Sequence, residues 1–167
     1  AVHAGDIKIN GQEVGAIAAS ADMEKVLEAI NNNVDNVEAT AFNVVVAKNK
    51  GNGVTTDGQL EINVAELGQS NATTFNISAS SSMDELVANI NAETGGVVRA
   101  SINEEGKLML SNSTGATIKV LDTSASASSY DGGSGFYTGT SGTYAAANTF
   151  AGFVKLTSLD GTPVRIE

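Results

Sequence analysis

The sequence predicts an α+β fold, rich in strand, with two small antiparallel sheets each packed on one short amphipathic helix. Three observations point there. The stretches MEKVLEAIN from Met23 and MDELVANIN from Met83 place apolar residues at helical spacing and end in the same Ile-Asn pair. The segments around them alternate apolar and polar residues at the strand period, broken by Gly- and Asn-containing turns. The chain is 41% hydrophobic but only 5% aromatic, with no Trp, so the core is built from Val, Ile, Leu and Ala.

In chain order, Ile7 and Ile9 alternate with polar residues, and Asn10-Gly11 supplies a hairpin turn before a second short strand. The first helix comes next, with Met23, Val26, Leu27 and Ile30 on one stripe, Ser20 or Asp22 as its cap, and an Asn-rich end at 31–33. A strand then runs through NVEATAFNVVVAK. The second unit repeats this order: strands in QLEINVAEL and TTFNISA, then a helix carrying Met83, Leu86, Val87 and Ile90. Ser82 with Glu85 three residues on forms a capping box. Helices are thus expected over about 22–32 and 82–92. Val98, Ala100 and Ile102 alternate, NEEGK turns, Leu108 and Leu110 alternate, and NSTG leads to Ile118 and Val120. Four large apolar side chains per helix, at about 1.5–3 kcal/mol each when buried, would hold each helix on a sheet.

Residues 122–143 break the pattern: they are mostly Ser, Thr and Gly and read as an exposed loop or loose hairpins. Tyr130, Tyr137 and Tyr144 lie in or beside this stretch, at a spacing that would put successive rings on opposite faces of a strand. FAGFVKLTSLDGTPVRIE then restores strand, Asp160-Gly161 turn and strand. The start, AVHAGD, and the end, VRIE, read as cut from something longer.

Charge narrows the function classes. Nineteen acidic residues against nine basic ones give a net charge of −10, a field that repels phosphate backbones and anionic headgroups. Neither nucleic acid nor membrane is an expected partner, and no apolar run is long enough to span a bilayer. There is no Cys, which removes disulfides, thiolate catalysis and Cys-ligated metals.

No catalytic, cofactor-binding or metal-ligating constellation emerges. The single His, His3, stands near the start of the chain. YDGGSGF at 130–136 has the glycines of a phosphate loop without its GK[ST] ending. The acidic pairs Glu104-Glu105, Asp84-Glu85 and Glu24 with Glu28 fall in a turn or on helix surfaces, where solvated charge is their reading. The sequons at Asn71, Asn76 and Asn112 are expected by accident in so Asn- and Ser-rich a chain. The sequence calls for no enzyme.

The unit of strand, Asn-Gly turn, strand, helix ending in Ile-Asn, and strand with a Gly turn resembles the flagellin hook IN motif. Its Ile-Asn pair is present as Ile30-Asn31 and Ile90-Asn91, and VVRASINEEGKLMLSNSTGATIKV over 97–120 is similar to its continuation. The first copy, VEATAFNVVVAKNKGNG, keeps Val37 and Ala39 but lacks the short Gly turn. GFVKLTSLDGTPVRI over 152–166 resembles the segment of a flagellin that returns towards its core.

The resemblance implies the central, surface-exposed variable region of a bacterial flagellin: an extracellular, secreted structural module of the filament that supports motility and forms an antigenic surface. It leaves open a domain of the filament cap protein or an adhesive binding module. It implies two domains, an inner one over 1–56 plus about 148–167 and a distal one over 57–147. It implies partnership with other flagellin subunits through core regions absent from this chain, contact with host surface or antibody, and a fragment that is itself monomeric, since no sustained heptad is present. Where a flagellin is O-glycosylated, Ser124, Ser126, Ser128, Thr138 and Thr140 are the candidate sites.

Overall fold

The computed structural model describes residues 1–19, 22–65, 71–124, 133–136 and 148–167. Its first element is a small hairpin, β1 (Lys8–Ile9) and β2 (Gln12–Glu13), turned by Asn10 at φ 51° and Gly11 at φ 77°. Two consecutive left-handed residues are what a tight hairpin turn with the right twist requires, and Asn-Gly supplies them. Helix α1 (Met23–Asn33) starts at Asp22, whose carboxylate accepts the Lys25 N–H at 3.0 Å. Helix α2 (Met83–Glu93) starts at Ser82, whose hydroxyl accepts the Glu85 N–H at 3.2 Å. The reciprocal half of the box is shifted by one residue: Glu85 accepts the N–H of Ser81, not of Ser82. Both helices lie within a residue of their expected bounds. Ile30, Leu86 and Ile90 are buried, whereas Leu27 is only half-buried.

The long strand β3 (Val37–Val46) alternates without a fault: Val37, Ala39, Ala41, Asn43 and Val45 point inward and the residues between them outward. The remaining strands are β4 (Leu60–Ala65), β5 (Thr73–Ile77), β6 (Arg99–Ile102), β7 (Leu108–Asn112), β8 (Thr117–Asp122), β9 (Asn148–Phe150) and β10 (Phe153–Ser158). They form two four-stranded antiparallel sheets, in the orders β10-β3-β7-β6 and β5-β4-β8-β9. Strand thus outweighs helix among the described residues.

The repeated units do not keep separate sheets. β3 is long enough to hold two neighbours in succession. Its first half pairs with β10, from Val37↔Ser158 to Phe42↔Phe153, and its second half with β7 of the second unit, from Asn43↔Asn112 to Val46↔Met109. One core cluster gathers Ile9, Val14, Ile30, Val34, Val37 and Ala39 under α1. The larger one joins Val45, Leu60, Ile62, Leu86, Ile90, Leu110 and Ile118, among others, with α2 packed on both β6 and β5. α2 therefore closes the gap between two sheets instead of resting on one.

The sheets meet where the backbones nearly touch. The fully buried Asn43 donates to the carbonyls of Ala116 (3.0 Å) and Phe150 (2.9 Å). A Cβ on Gly115 would stand 2.3 Å from Cβ of Ala41, and one on Gly152 would stand 2.2 Å from the Gly115 carbonyl oxygen. Only glycine permits this approach.

Two sequence readings are corrected. The Ser/Thr/Gly stretch is not exposed throughout. Gly133, Ser134, Gly135 and Phe136 are buried, and Phe136 packs edge-on against Phe150 at 6.0 Å. Beyond the Asp160 turn the tail forms a single bridge, Ile9↔Ile166, and no full strand.

Candidate functional site

The Ile-Asn pairs have one geometry in both units. Ile30 and Ile90 are buried at the helix ends. The Asn after each turns back on the next strand. Asn31 accepts the Ala39 N–H at 2.7 Å and donates to the Ala39 carbonyl at 3.0 Å. Asn91 accepts the Ala100 N–H at 2.8 Å and donates to the Ala100 carbonyl at 3.0 Å.

A strand residue aims its N–H and C=O to the same side. Ala39 and Ala100 are also paired across their strands with Leu156 and Leu110, so both polar groups point away from that neighbour. Each Asn carboxamide therefore occupies the place of a missing strand. It satisfies an edge that would otherwise offer free backbone groups to another chain. Neighbouring residues reinforce each joint. Asn33 donates to the Val14 carbonyl at 3.0 Å, tying α1 to the hairpin. Thr94 bonds both Ile90 and Val98 carbonyls, closing the turn from α2 into β6.

A second constellation escaped the sequence. Asp122 is 3% exposed, and its carboxylate accepts the N–H of Ser124 (2.9 Å) and of Ser134 (2.8 Å) as well as both hydroxyls. Four donors satisfy a buried carboxylate and clamp the two ends of the Ser/Gly segment together. Gly133 docks beside it, its N–H donating to the Asn52 side chain at 3.1 Å. The only signal in sequence was an acid at a strand end with serines after it, which also describes an ordinary loop.

Of the candidate O-glycosylation residues, Ser124 is half-buried with its hydroxyl turned to Asp122. Ser126, Ser128, Thr138 and Thr140 lie outside the described residues, as do all three tyrosines. The acidic pairs are at the surface. Glu105 is bonded to Lys107 at 2.7 Å, which lowers its pKa from the ordinary value. Glu28 bonds Lys25 at 2.7 Å and raises the lysine's pKa. The Glu85 carboxyl is lowered by the Ser81 hydroxyl and N–H. His3 lies beside Asp6 at 3.3 Å, exposed. Asn112 of one sequon is spent in its own turn, donating to Ala116 and accepting from Gly115, each at 2.9 Å. Among the described residues no three His, Cys, Asp or Glu side chains gather as a metal site, and no helix is long and apolar enough to cross a membrane.

Residues 52–114 match the family model of the flagellin hook IN motif. The match runs from the turn before β4 to the end of β7 and contains α2, Ile90-Asn91 and the clasp on Ala100. The first unit lies outside it. The expectation of two hook IN motifs is therefore corrected to one matched motif, beside a first unit that shares its helix-to-strand clasp. Beyond the clasp the two units differ. After Ala100 comes the five-residue NEEGK turn, held by Asn103, whereas β3 runs on past Ala39 without a turn.

Among solved structures, the chain is similar to the flagellar cap protein FliD D1-D2-D3 domains from Escherichia coli. The identity is 15% and the TM-score 0.29, over 73% of this chain and 54% of that one. The chain thus spans about half the length of that structure. No curated protein sequence matches the chain.

Proposed function

We propose that the chain is a non-catalytic structural module of a bacterial flagellum, a surface-exposed outer region of a flagellin, built to hold a rigid strand-rich shape outside the cell. The hook IN motif at 52–114 carries this reading. The chemistry agrees. The polar groups with special geometry, Asn31, Asn91, Asn43 and Asp122, are spent on holding backbone together. Such a module partners other subunits through polymerising regions beyond this chain and presents the antigenic surface of the filament. The division into an inner domain, 1–56 with about 148–167, and a distal domain, 57–147, belongs to the same proposal, with the β10-β3-β7-β6 sheet crossing the boundary between them. The second reading is a domain of the filament cap protein, since the hook IN motif belongs to flagellar axial proteins generally.

Antibody raised against the 167-residue chain decides between them. Gold label along the whole filament of the source bacterium supports the flagellin reading, and label confined to the filament tip supports the cap. Absence of label from flagella whose cells contain the protein would refute both.

A further inference from the structure

The outward face of the β10-β3-β7-β6 sheet is unlike the rest of the surface. Residues directly paired across strands share a face. The outward rows, read along β3, are Glu38–Thr157, Thr40–Lys155, Phe42–Phe153, Val44–Ser111–Arg99 and Val46–Met109–Ser101. Phe42 stacks on Phe153 with ring centroids 5.7 Å apart, and Phe153 remains 55% exposed, Val44 43% and Val46 44%. The strip is apolar at its centre. Its rim is mainly basic: Lys155 and Arg99 flank it, Lys48, Lys50 and the Glu105-paired Lys107 gather around a hollow of about 430 Å³ at its end, and Glu38 is the acidic residue at the start of β3. Most of the chain's nine basic residues thus stand on or beside one face of a protein of net charge −10.

The compensating asymmetry lies in the segment between Lys50 and Arg99, which contains no Lys or Arg at all. It supplies β4, β5 and α2. On the exposed side of α2, Ala88 and Ala92 form a low apolar ridge one helical turn apart, flanked by Asp84, Glu85 and Glu93. One surface is an apolar strip with a cationic rim, and the other is an apolar ridge with an anionic rim.

We infer that the sheet face is a docking surface for a second copy of this chain, which presents its α2 face. A contact between two different surfaces is heterologous, so every copy has one of each to offer, and copies add head to tail. The net charge of −10 opposes association of copies as whole bodies. Six of the nineteen acidic residues lie in the segment without Lys or Arg, and its contrast with the basic face favours this orientation. A patch of this size suits a weak contact, useful where copies are already held side by side. The inference does not rest on the flagellar reading and is tested in solution, so either can fail alone.

The test uses sedimentation equilibrium on the 167-residue chain. For a Kd near 1 mM, the weight-average mass rises roughly two- to threefold between about 0.1 and 2 mM. Two charge-reversed variants are made, Lys48→Glu with Arg99→Glu on the sheet face, and Asp84→Lys with Ala88→Lys on α2. All four positions are exposed, and circular dichroism checks that each variant folds. Each variant alone should stay monomeric, and an equimolar mixture should regain association, because each restores the surface the other lacks. A parent chain whose mass is constant over this range overturns the inference. So does an α2 variant that still associates alone, which would mean that two sheet faces meet, and so does a mixture that fails to recover.

Discussion

Replacing Asn91 by Ala tests what the Ile-Asn pair is for. The carboxamide makes two hydrogen bonds to one residue, 2.8 Å from the Ala100 N–H and 3.0 Å to its carbonyl, and Ala100 is 4% exposed. At about 0.5–1.5 kcal/mol net per bond, removing the pair costs about 1–3 kcal/mol, towards the upper end if the Ala100 groups find no water. For a chain of this length each kcal/mol lowers Tm by about 2–4 °C. Asn31→Ala should cost a similar amount, because its bonds to Ala39 have the same lengths within 0.1 Å. Asn32→Ala is the control. It follows Asn31 on the same helix end and is exposed like it, but its side chain makes no hydrogen bond to the next strand, so its effect should stay within about 0.5 kcal/mol. Asn91→Asp keeps the acceptor for the Ala100 N–H but sets a carboxylate oxygen against its carbonyl, and should be no milder than Ala at neutral pH. Urea unfolding of the four variants measures this. If Asn91→Ala and Asn32→Ala unfold at the same midpoint, the clasp contributes nothing and the reasoning fails.

Leu86→Ala empties a fully buried site between both sheets and should cost about 2–5 kcal/mol by thermal or urea unfolding; a loss below ~0.5 kcal/mol would contradict the packing of α2. Glu85 gives a pH signature: its folded pKa lies below the ordinary value because Ser81 bonds the ionised form. That contribution is present above the unfolded-state pKa and lost as pH falls through the lower folded value. Glu85→Gln should therefore be less stable than the parent at neutral pH, with the gap closing in acid; a gap that is unchanged or widens in acid would refute it.

The elements were legible in the sequence because each satisfies a local rule. Asp22 and Ser82 accept backbone N–H groups that every helix start leaves free, and Asn10-Gly11 adopts the two left-handed conformations a tight hairpin needs. Long-range choices were not legible. The alternation of β3 fixed which side of the strand is buried, but said nothing about which strands lie beside it. That β10 takes its first half and β7 its second depends on where Gly115 and Gly152 let the backbones close up. The 133–136 segment was missed for a related reason. Composition reports whether a stretch can bury itself, and Gly-Ser-Gly-Phe cannot. It is buried because Asp122, Asn52 and Asn49 hold it from outside. The outward sheet face was hidden in the same way: Phe42, Lys155 and Arg99 are far apart in sequence, and only strand register assembles them.

The repeated Ile-Asn clasp then has a physical explanation. A short helix crossing from one strand to the next leaves the receiving strand with an open edge where the chain arrives. Extending the sheet by another strand would cover that edge, but the helix already occupies the space. An Asn immediately after the last buried Ile solves both problems within one residue pair. The Ile fixes the helix end in the core, and the Asn, whose amide has the donor and acceptor of a peptide group, completes the ladder. The Ser, Thr and Gln side chains do not offer this match: the hydroxyls lack the spacing of a peptide edge, and Gln adds a methylene with one more rotor to fix. The two units therefore repeat what the edge demands, Ile30-Asn31 on Ala39 and Ile90-Asn91 on Ala100, and diverge where it demands nothing. That is why β3 can run on to join β10 to β7 in one sheet while β6 ends at a turn after four residues, with both helix-to-strand joints left intact.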